Sequence, residues 1–275
     1  MITASIVSYH HHPSEIRKII DCVLAAPVDK LFIIDHSSND RLRELEGVSK
    51  GGRYIHSINR GYGGGQNIAI REAIELGATY HVVVNPDIYF ENGVLERLAE
   101  YMDNNKDVGQ IMPKVYYPNG DLQYLCKLIP TPLDLIFKRF LPYFIIKKRI
   151  YKFQLRFTGY DRIMNVPYLS GCFMFFRISV LQEIGLFDER FFMYPEDIDI
   201  TRRIHEKYKT IFFPDVFIIH AHAAASKKNF KMLKVHILNM VKYFNKWGWF
   251  FDSRRKKINK KVLKDLEDMN DNNSL

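Results

Sequence analysis

The hydrophobic pattern divides the first part of the chain into apolar runs of strand length, at residues 2–8, 30–35 and 80–85, separated by stretches of helical spacing. Residues 14–26 show that spacing plainly, with Ile16, Ile19, Ile20, Val23 and Leu24 recurring on one face. Further helices are predicted over 67–76, 91–102 and 177–184, and further strands over 108–112, 166–176, 210–214 and 216–220. Apolar strands alternating with helices predict an α/β fold, a mixed and mostly parallel central sheet flanked by helices. Ligands of such sheets bind beyond the carboxyl ends of the strands, so the polar residues that close the runs become candidates.

The chain has 275 residues, and residues 1–226 carry the whole α/β pattern. Residues 227–275 read as a basic amphipathic helical extension. No apolar run approaches the roughly 20 residues of a membrane-spanning helix, and no leader-like stretch precedes the first strand. Cys22, Cys126 and Cys172 are odd in number and widely spaced, which argues against a disulfide framework or zinc knuckle and suits a reducing compartment. The formal net charge of +9 is concentrated in two places. Basic residues outnumber acidic ones nine to two over 127–162 and twelve to one over 227–261, whereas 1–126 is slightly acidic. Both basic segments carry large apolar residues, among them Phe144, Ile145, Trp249, Phe250 and Phe251. That pairing points to an anionic membrane surface and away from nucleic acid, for which no reading motif is present. The first of these segments, about 126–160, is an insertion broken by Pro130, Pro132 and Pro142, where an amphiphilic acceptor can lie.

Candidate chemistry follows the strand ends. Asp35 closes the second run and is followed by Ser37 and Ser38, an arrangement that can accept hydrogen bonds from a nucleobase or ribose; Asp40 suits a structural role. Gly61, Gly63, Gly64 and Gly65 fit neither a Walker loop nor a dinucleotide fingerprint. They predict a tight loop against a ligand, next to Arg60, running into a helix whose N-terminus can face an anion. Asn85-Pro86-Asp87 places Asp87 where a carboxylate and a diphosphate can share Mg²⁺ or Mn²⁺, with a helix-capping turn as the alternative. Glu196, Asp197 and Asp199 put three carboxylates at the start of a helix, more than capping requires, and one can serve as a general base. His220 and His222 follow a late strand as candidate metal or diphosphate contacts. One of His10, His11 and His12 is expected near the ligand, and Gly171 leaves room for a sugar. Arg202 and Arg203 are further candidate cations for the diphosphate.

In order along the chain, Ile6-Val7-Ser8-Tyr9, Ile34-Asp35-His36-Ser37-Ser38, the stretch from Asn59 to Asn67, Asn85-Pro86-Asp87, the Gly185 to Glu189 turn, the stretch from Phe192 to Asp199, and His220 resemble the motifs of inverting family 2 glycosyltransferases with a GT-A fold. The likeness covers about residues 2–226 and extends in particular to bacterial rhamnosyltransferases of O-antigen or capsular polysaccharide synthesis. It implies nucleotide-sugar contacts from Ser8, Tyr9, Asp35, Ser37, Arg60, Gly61, Gly64, Gln66, Asn67, Asn85, Asp87 and Gly171, with Asp35 reading the nucleobase. It also implies Mg²⁺ or Mn²⁺ held by Asp87 and His220, and Asp197 as the base with Glu196 beside it. The implied donor is dTDP-L-rhamnose or a UDP-sugar, and the implied acceptor a lipid-linked oligosaccharide. The implied location is cytoplasmic, peripheral at the inner face of the plasma membrane. Asn85 departs from the family pattern by replacing the first acid of its DXD-type element. Ser170-Gly171 stands where Gly-Ala is commoner. A nucleotidyltransferase and a catalytically inactive nucleotide-sugar binder are the competing classes; intact Asp35, Asp87 and Asp197 argue against the second.

Overall fold

The computed structural model describes residues 1–47, 51–135, 141–221 and 230–272; His222 lies outside them. The chain begins with β1 (Ile2–Ser8), α1 (Pro13–Leu24), β2 (Lys30–Asp35), β3 (Gly52–His56), α2 (Gly61–Glu75) and β4 (Tyr80–Val84). It continues through β5 (Ile88–Tyr89), α3 (Val94–Asn104), β6 (Val108–Tyr116), β7 (Cys126–Lys127), α4 (Pro132–Leu135) and α5 (Tyr143–Phe153). After β8 (Met164–Asn165) and β9 (Tyr168–Leu169) come β10 (Phe173–Arg177), α6 (Ile178–Ile184), α7 (Glu196–His205) and β11 (Lys209–His220). Two long helices, α8 (Phe230–Trp247) and α9 (Ser253–Asn272), follow.

The main sheet runs β3-β2-β1-β4-β10-β6-β11-β5, with β8 paired to β11. β3, β2, β1 and β4 are parallel, as are β6 and β11, while β10 runs antiparallel between β4 and β6. Alternation along the strands decides which layer each side chain joins. Leu31 and Ile33 of β2 and Val82 and Val84 of β4 pack with α1 and α3, whereas Phe32, Ile34 and Val83 pack with α2, α6 and α7. Because both faces are covered, the strands read as continuous apolar runs, and the mixed, mostly parallel α/β sheet of the sequence reading is what the chain forms.

Several local expectations are corrected. The glycine-rich stretch is not a loop: it forms the first turns of α2, which begins at Gly61 and not at Asn67. Pro113 lies inside β6, where a bulge on β11 between Phe213 and Phe217 absorbs the missing donor. The same bulge joins the two short strands expected at 210–214 and 216–220 into one. Gly171 is not inside a strand but in the turn between β9 and β10. His12 begins α1 through a capping box, its side chain accepting from Ser14 while Glu15 accepts from the His12 amide.

The C-terminal helices pack back on the sheet domain. Met240, Tyr243 and Phe244 of α8 form a cluster with Tyr168, Phe191 and Ile198. Val262 and Leu266 of α9 enter the main core, and the Asn259 side chain bonds both backbone groups of Ile129 at 2.9 Å.

Candidate active site

β1, β2 and β4 end at Ser8, Asp35 and Val84, and β6 and β11 bring Tyr116 and His220 to the same edge of the sheet. β10 runs the other way, so the turn before it, with Gly171, meets the end of β4. Polar groups from distant parts of the sequence therefore converge.

Asp87 and His220 face each other, His220 Nε2 lying 3.4 Å from Asp87 Oδ1. Gln123 fixes the ring: its Oε1 is 3.0 Å from His220 Nδ1, and its Nε2 donates to the His220 carbonyl at 2.8 Å. Burial pushes the His220 pKa down, but hydrogen bonds and charge from Asp87 and Cys172 outweigh it and raise it to about 10. So raised, His220 carries a proton toward Asp87, and a divalent cation such as Mn²⁺ or Mg²⁺ would have to displace that proton to be held by the carboxylate oxygen and the imidazole nitrogen. No group of three or more His, Cys, Asp or Glu side chains among the described residues is placed to hold a metal ion, so diphosphate oxygens and water would have to complete the coordination. Asn85 Oδ1 accepts from the Tyr62 hydroxyl at 2.8 Å.

Asp197 sits at the start of α7. Its Oδ2 accepts the Gly171 amide at 2.9 Å and its Oδ1 accepts the Ile198 amide at 2.8 Å. Burial raises its pKa, the Gly171 amide and the Lys127 charge pull it part of the way back, and the balance stands at about 6. Glu196 beside it is raised well above the ordinary carboxylate range by burial and by the Asp197 charge. Tyr194, two residues upstream, holds a positive φ of 92°, a strained conformation of the kind found where a site dictates the backbone. Asp199 and Arg202 do not join this pair. Both are buried among groups of α7, α8 and the start of α9, and Arg203 binds Asp199 and three carbonyls of residues 184–186, so neither arginine is placed to meet a diphosphate.

The glycine helix joins the two centres. The Tyr62 hydroxyl is 2.8 Å from Asn85 Oδ1 and 2.7 Å from the Gly171 carbonyl, which share its one proton. Asp197 is thus connected through Gly171 and Tyr62 to the Asn85-Pro86-Asp87 turn. Gly61 is required by packing: its φ is +79°, and a Cβ would stand 2.1 Å from the Phe192 carbonyl oxygen. Gly64 packs against the Arg60 side chain, which is exposed at the start of α2. Gln66 and Asn67, expected as ligand contacts, are buried: Gln66 accepts from Ser5, and Asn67 bonds the Phe187 backbone and Glu189.

Asp35 is also fully buried. Its Oδ1 accepts from the Ser37 amide and hydroxyl at 3.0 and 2.6 Å, and its Oδ2 from Tyr54 at 3.0 Å. The neighbouring rim is formed by the exposed Tyr9 and by Ser37, which accepts the His10 amide at 2.8 Å, while Ser8, bonded to His11, is as fully buried as Asp35. Asp35 shapes this rim through Ser37 and presents no surface of its own. On the other side a cleft of about 450 Å³ is lined by Tyr117, Asp121, Gln123, Tyr124, Lys127 and Arg156, among others. It borders His220 through Gln123 and Asp197 through Lys127. Tyr62, Gln123 and Lys127 were not singled out by the sequence reading; a tyrosine inside a glycine run was the one available signal.

The sequence model of the family Glycosyl transferase family 2 matches residues 4–185. The chain belongs to this family. A Mycobacterium tuberculosis N-acetylglucosaminyl-diphospho-decaprenol L-rhamnosyltransferase is 25% identical over 183 residues, 62% of this chain and 59% of that protein, so the match spans little more than half of the relative. Rhamnosyltransferase WbbL of Escherichia coli K12 is 24% identical over 251 residues, 88% of this chain and 92% of that one. Among solved structures, a Pyrobaculum calidifontis mannosyltransferase in complex with GDP-Man and Mn²⁺ superposes with a TM-score of 0.57 at 15% identity, over 89% of this chain and 63% of its own. That likeness shows the shared GT-A fold of the family.

Proposed function

We propose that the chain is an inverting glycosyltransferase that moves L-rhamnose from dTDP-L-rhamnose to a lipid-linked saccharide in cell-surface polysaccharide synthesis. The observation that carries the transferase reading is the hydrogen-bonded line from Asp197 through Gly171 and Tyr62 to the Asn85-Pro86-Asp87 turn. It ties a basic carboxylate to a diphosphate-side carboxylate, the two groups a displacement at a sugar carbon needs. Asp197 accepts the proton of the acceptor hydroxyl as that oxygen bonds to C1 of the donor. The C1–oxygen bond to the diphosphate breaks on the opposite face, its electron pair leaves with the diphosphate, and the configuration at C1 inverts. When bound between Asp87 and His220, a divalent cation would supply positive charge to the departing diphosphate. The acceptor occupies the cleft beside Tyr124, Lys127 and Arg156, where aromatic faces suit a sugar and two cations suit an attached phosphate.

The rhamnosyl assignment is supported by the two rhamnosyltransferase relatives. Association with an anionic bilayer at the cytoplasmic face is supported by exposed Phe144 and Ile145 of α5 beside Lys147 and Lys148, and by Phe250 and Phe251 before Arg254, Lys256 and Lys257. No helix among the described residues is long and apolar enough to cross a membrane.

The deciding experiment is turnover of dTDP-rhamnose, UDP-galactofuranose, UDP-glucose, UDP-galactose and UDP-N-acetylglucosamine by purified protein with Mg²⁺ or Mn²⁺, beside Asp197→Ala. Release of dTDP that disappears in the variant is the expected result. Turnover of a UDP-sugar alone would replace the donor. Absence of both turnover and binding of dTDP or UDP would remove the enzyme reading.

A further inference from the structure

Asp197 lies in the first turn of α7, beyond Gly185, where the family match ends. Two buried charges of α7 reach the C-terminal helices. Asp199 has no exposed surface. Its Oδ1 accepts from Lys246 at 2.5 Å and from the Trp247 indole at 2.8 Å, and its Oδ2 accepts from Arg203 at 2.9 Å. Arg202, 1% exposed, donates twice to Asp252, at 2.7 and 3.0 Å, and its guanidinium carbon lies 3.9 Å from the centre of the Trp247 ring. Lys246 also binds Asp188 at 2.8 Å, in the segment whose Phe192 carbonyl accepts the Tyr62 amide. The end of α8 and the start of α9 thus grip α7 at two adjacent turns and hold the loop leading into it.

We propose that Lys246, Trp247 and Asp252 are positioning residues for sugar transfer. They form a clamp that fixes the rotation and height of α7, and through it the seat of Asp197 under the Gly171 amide. This rests on the transferase reading above. Apolar packing by Met240, Tyr243 and Phe244 already attaches α8 to the domain, so the clamp is not needed merely to hold the helix there. What a buried, many-partnered ion pair adds is orientation more than net stability. A shift of about 1 Å in a catalytic group costs on the order of a hundredfold in rate.

The test compares Trp247→Phe, which keeps an aromatic ring near Arg202 but removes the indole N–H and one of the two fused rings, with Lys246→Met and Lys246→Arg. Turnover of whichever donor the wild type uses is measured together with nucleoside diphosphate binding, which counts folded sites. Trp247→Phe is expected to lower kcat about tenfold and Lys246→Met about a hundredfold, with donor KM within about twofold. Lys246→Arg, which can still bridge Asp188 and Asp199, is expected to recover most of the loss. Wild-type kcat per binding site in Trp247→Phe and Lys246→Met, with only the melting temperature lowered, overturns the proposal. Should the wild type turn over no donor, the transferase reading fails alone, and amide exchange decides the clamp. Faster exchange at residues 198–200, by about tenfold, with β1 and β4 unchanged, supports it; unchanged protection at 198–200 rejects it.

Discussion

His220 Nε2 stands 3.4 Å from Asp87 Oδ1 while Gln123 holds the opposite face of the same ring. A histidine whose second nitrogen is fixed in this way can turn only Nε2 toward a cation, in one direction, once the cation displaces the proton held there. Replacing Gln123 by Leu removes the brace and leaves both proposed ligands. The expected outcome is a tenfold to hundredfold weaker activation by Mn²⁺, about the usual loss for a ligand-orienting partner. A Mn²⁺ titration of turnover, paired with calorimetry of Mn²⁺ binding, checks it.

The environment of Asp197 sets a pH dependence. The carboxylate must be ionised to take a proton, and burial raises its pKa to about 6 against the pull of the Gly171 amide and Lys127. kcat/KM is therefore expected to rise with pH along an acid limb centred near 6. Lys127→Met removes one of the lowering influences and should move that limb upward. Asp197→Asn should abolish the limb together with about a thousandfold or more of the rate.

Stability should move in the opposite sense. A carboxylate whose folded pKa is raised holds its proton more firmly in the native state, so its contribution weakens as pH climbs from about 4 through the folded value. Glu196 and Asp197 are both raised. Glu196→Gln and Asp197→Asn should melt higher than wild type at pH 8 and show no such gain at pH 4. Scanning calorimetry at the two pH values measures the difference.

Gly61 and Gly77 separate two costs of replacing a glycine. Both have positive φ, +79° and +71°, but only Gly61 has a neighbour in the way, the Phe192 carbonyl. Gly77→Ala is expected to cost only the left-handed backbone penalty, about 1–2 kcal/mol. Gly61→Ala should cost clearly more and also lower turnover, because the same contact seats Tyr62. Chemical denaturation of both variants gives the comparison.

The sheet was legible because β1, β2 and β4 are buried on both faces and are mostly apolar, with Thr3, Ser5 and His81 the buried polar positions inside them. The start of α2 was not legible. Glycine is a poor helix former, and what holds Gly61 to Gly65 in a helix is packing against Phe192, Val7 and His36, residues far away in the sequence. Asp35, Asp87, Asp197 and His220 could be located as candidates from their strand and helix ends. Their surroundings could not: the burial of Asp35 depends on Tyr54, and the orientation of His220 on Gln123. Asp199, one of the three carboxylates at the start of α7, is taken up by Lys246 and Trp247, nearly fifty residues downstream, which no local pattern announces.

The reversed direction of β10 has an effect on how the site tolerates change. A parallel strand between β4 and β6 would end at this edge, whereas β10 begins here and brings the Gly171 amide to Asp197. The donor that steadies the proton acceptor is therefore main chain. Side-chain substitution at position 171 can crowd it, since a Cβ would lie 3.0 Å from that of Asp197, but only proline among the common amino acids lacks the amide hydrogen. The chain has written this contact into its backbone, where nearly every coding change leaves the hydrogen in place.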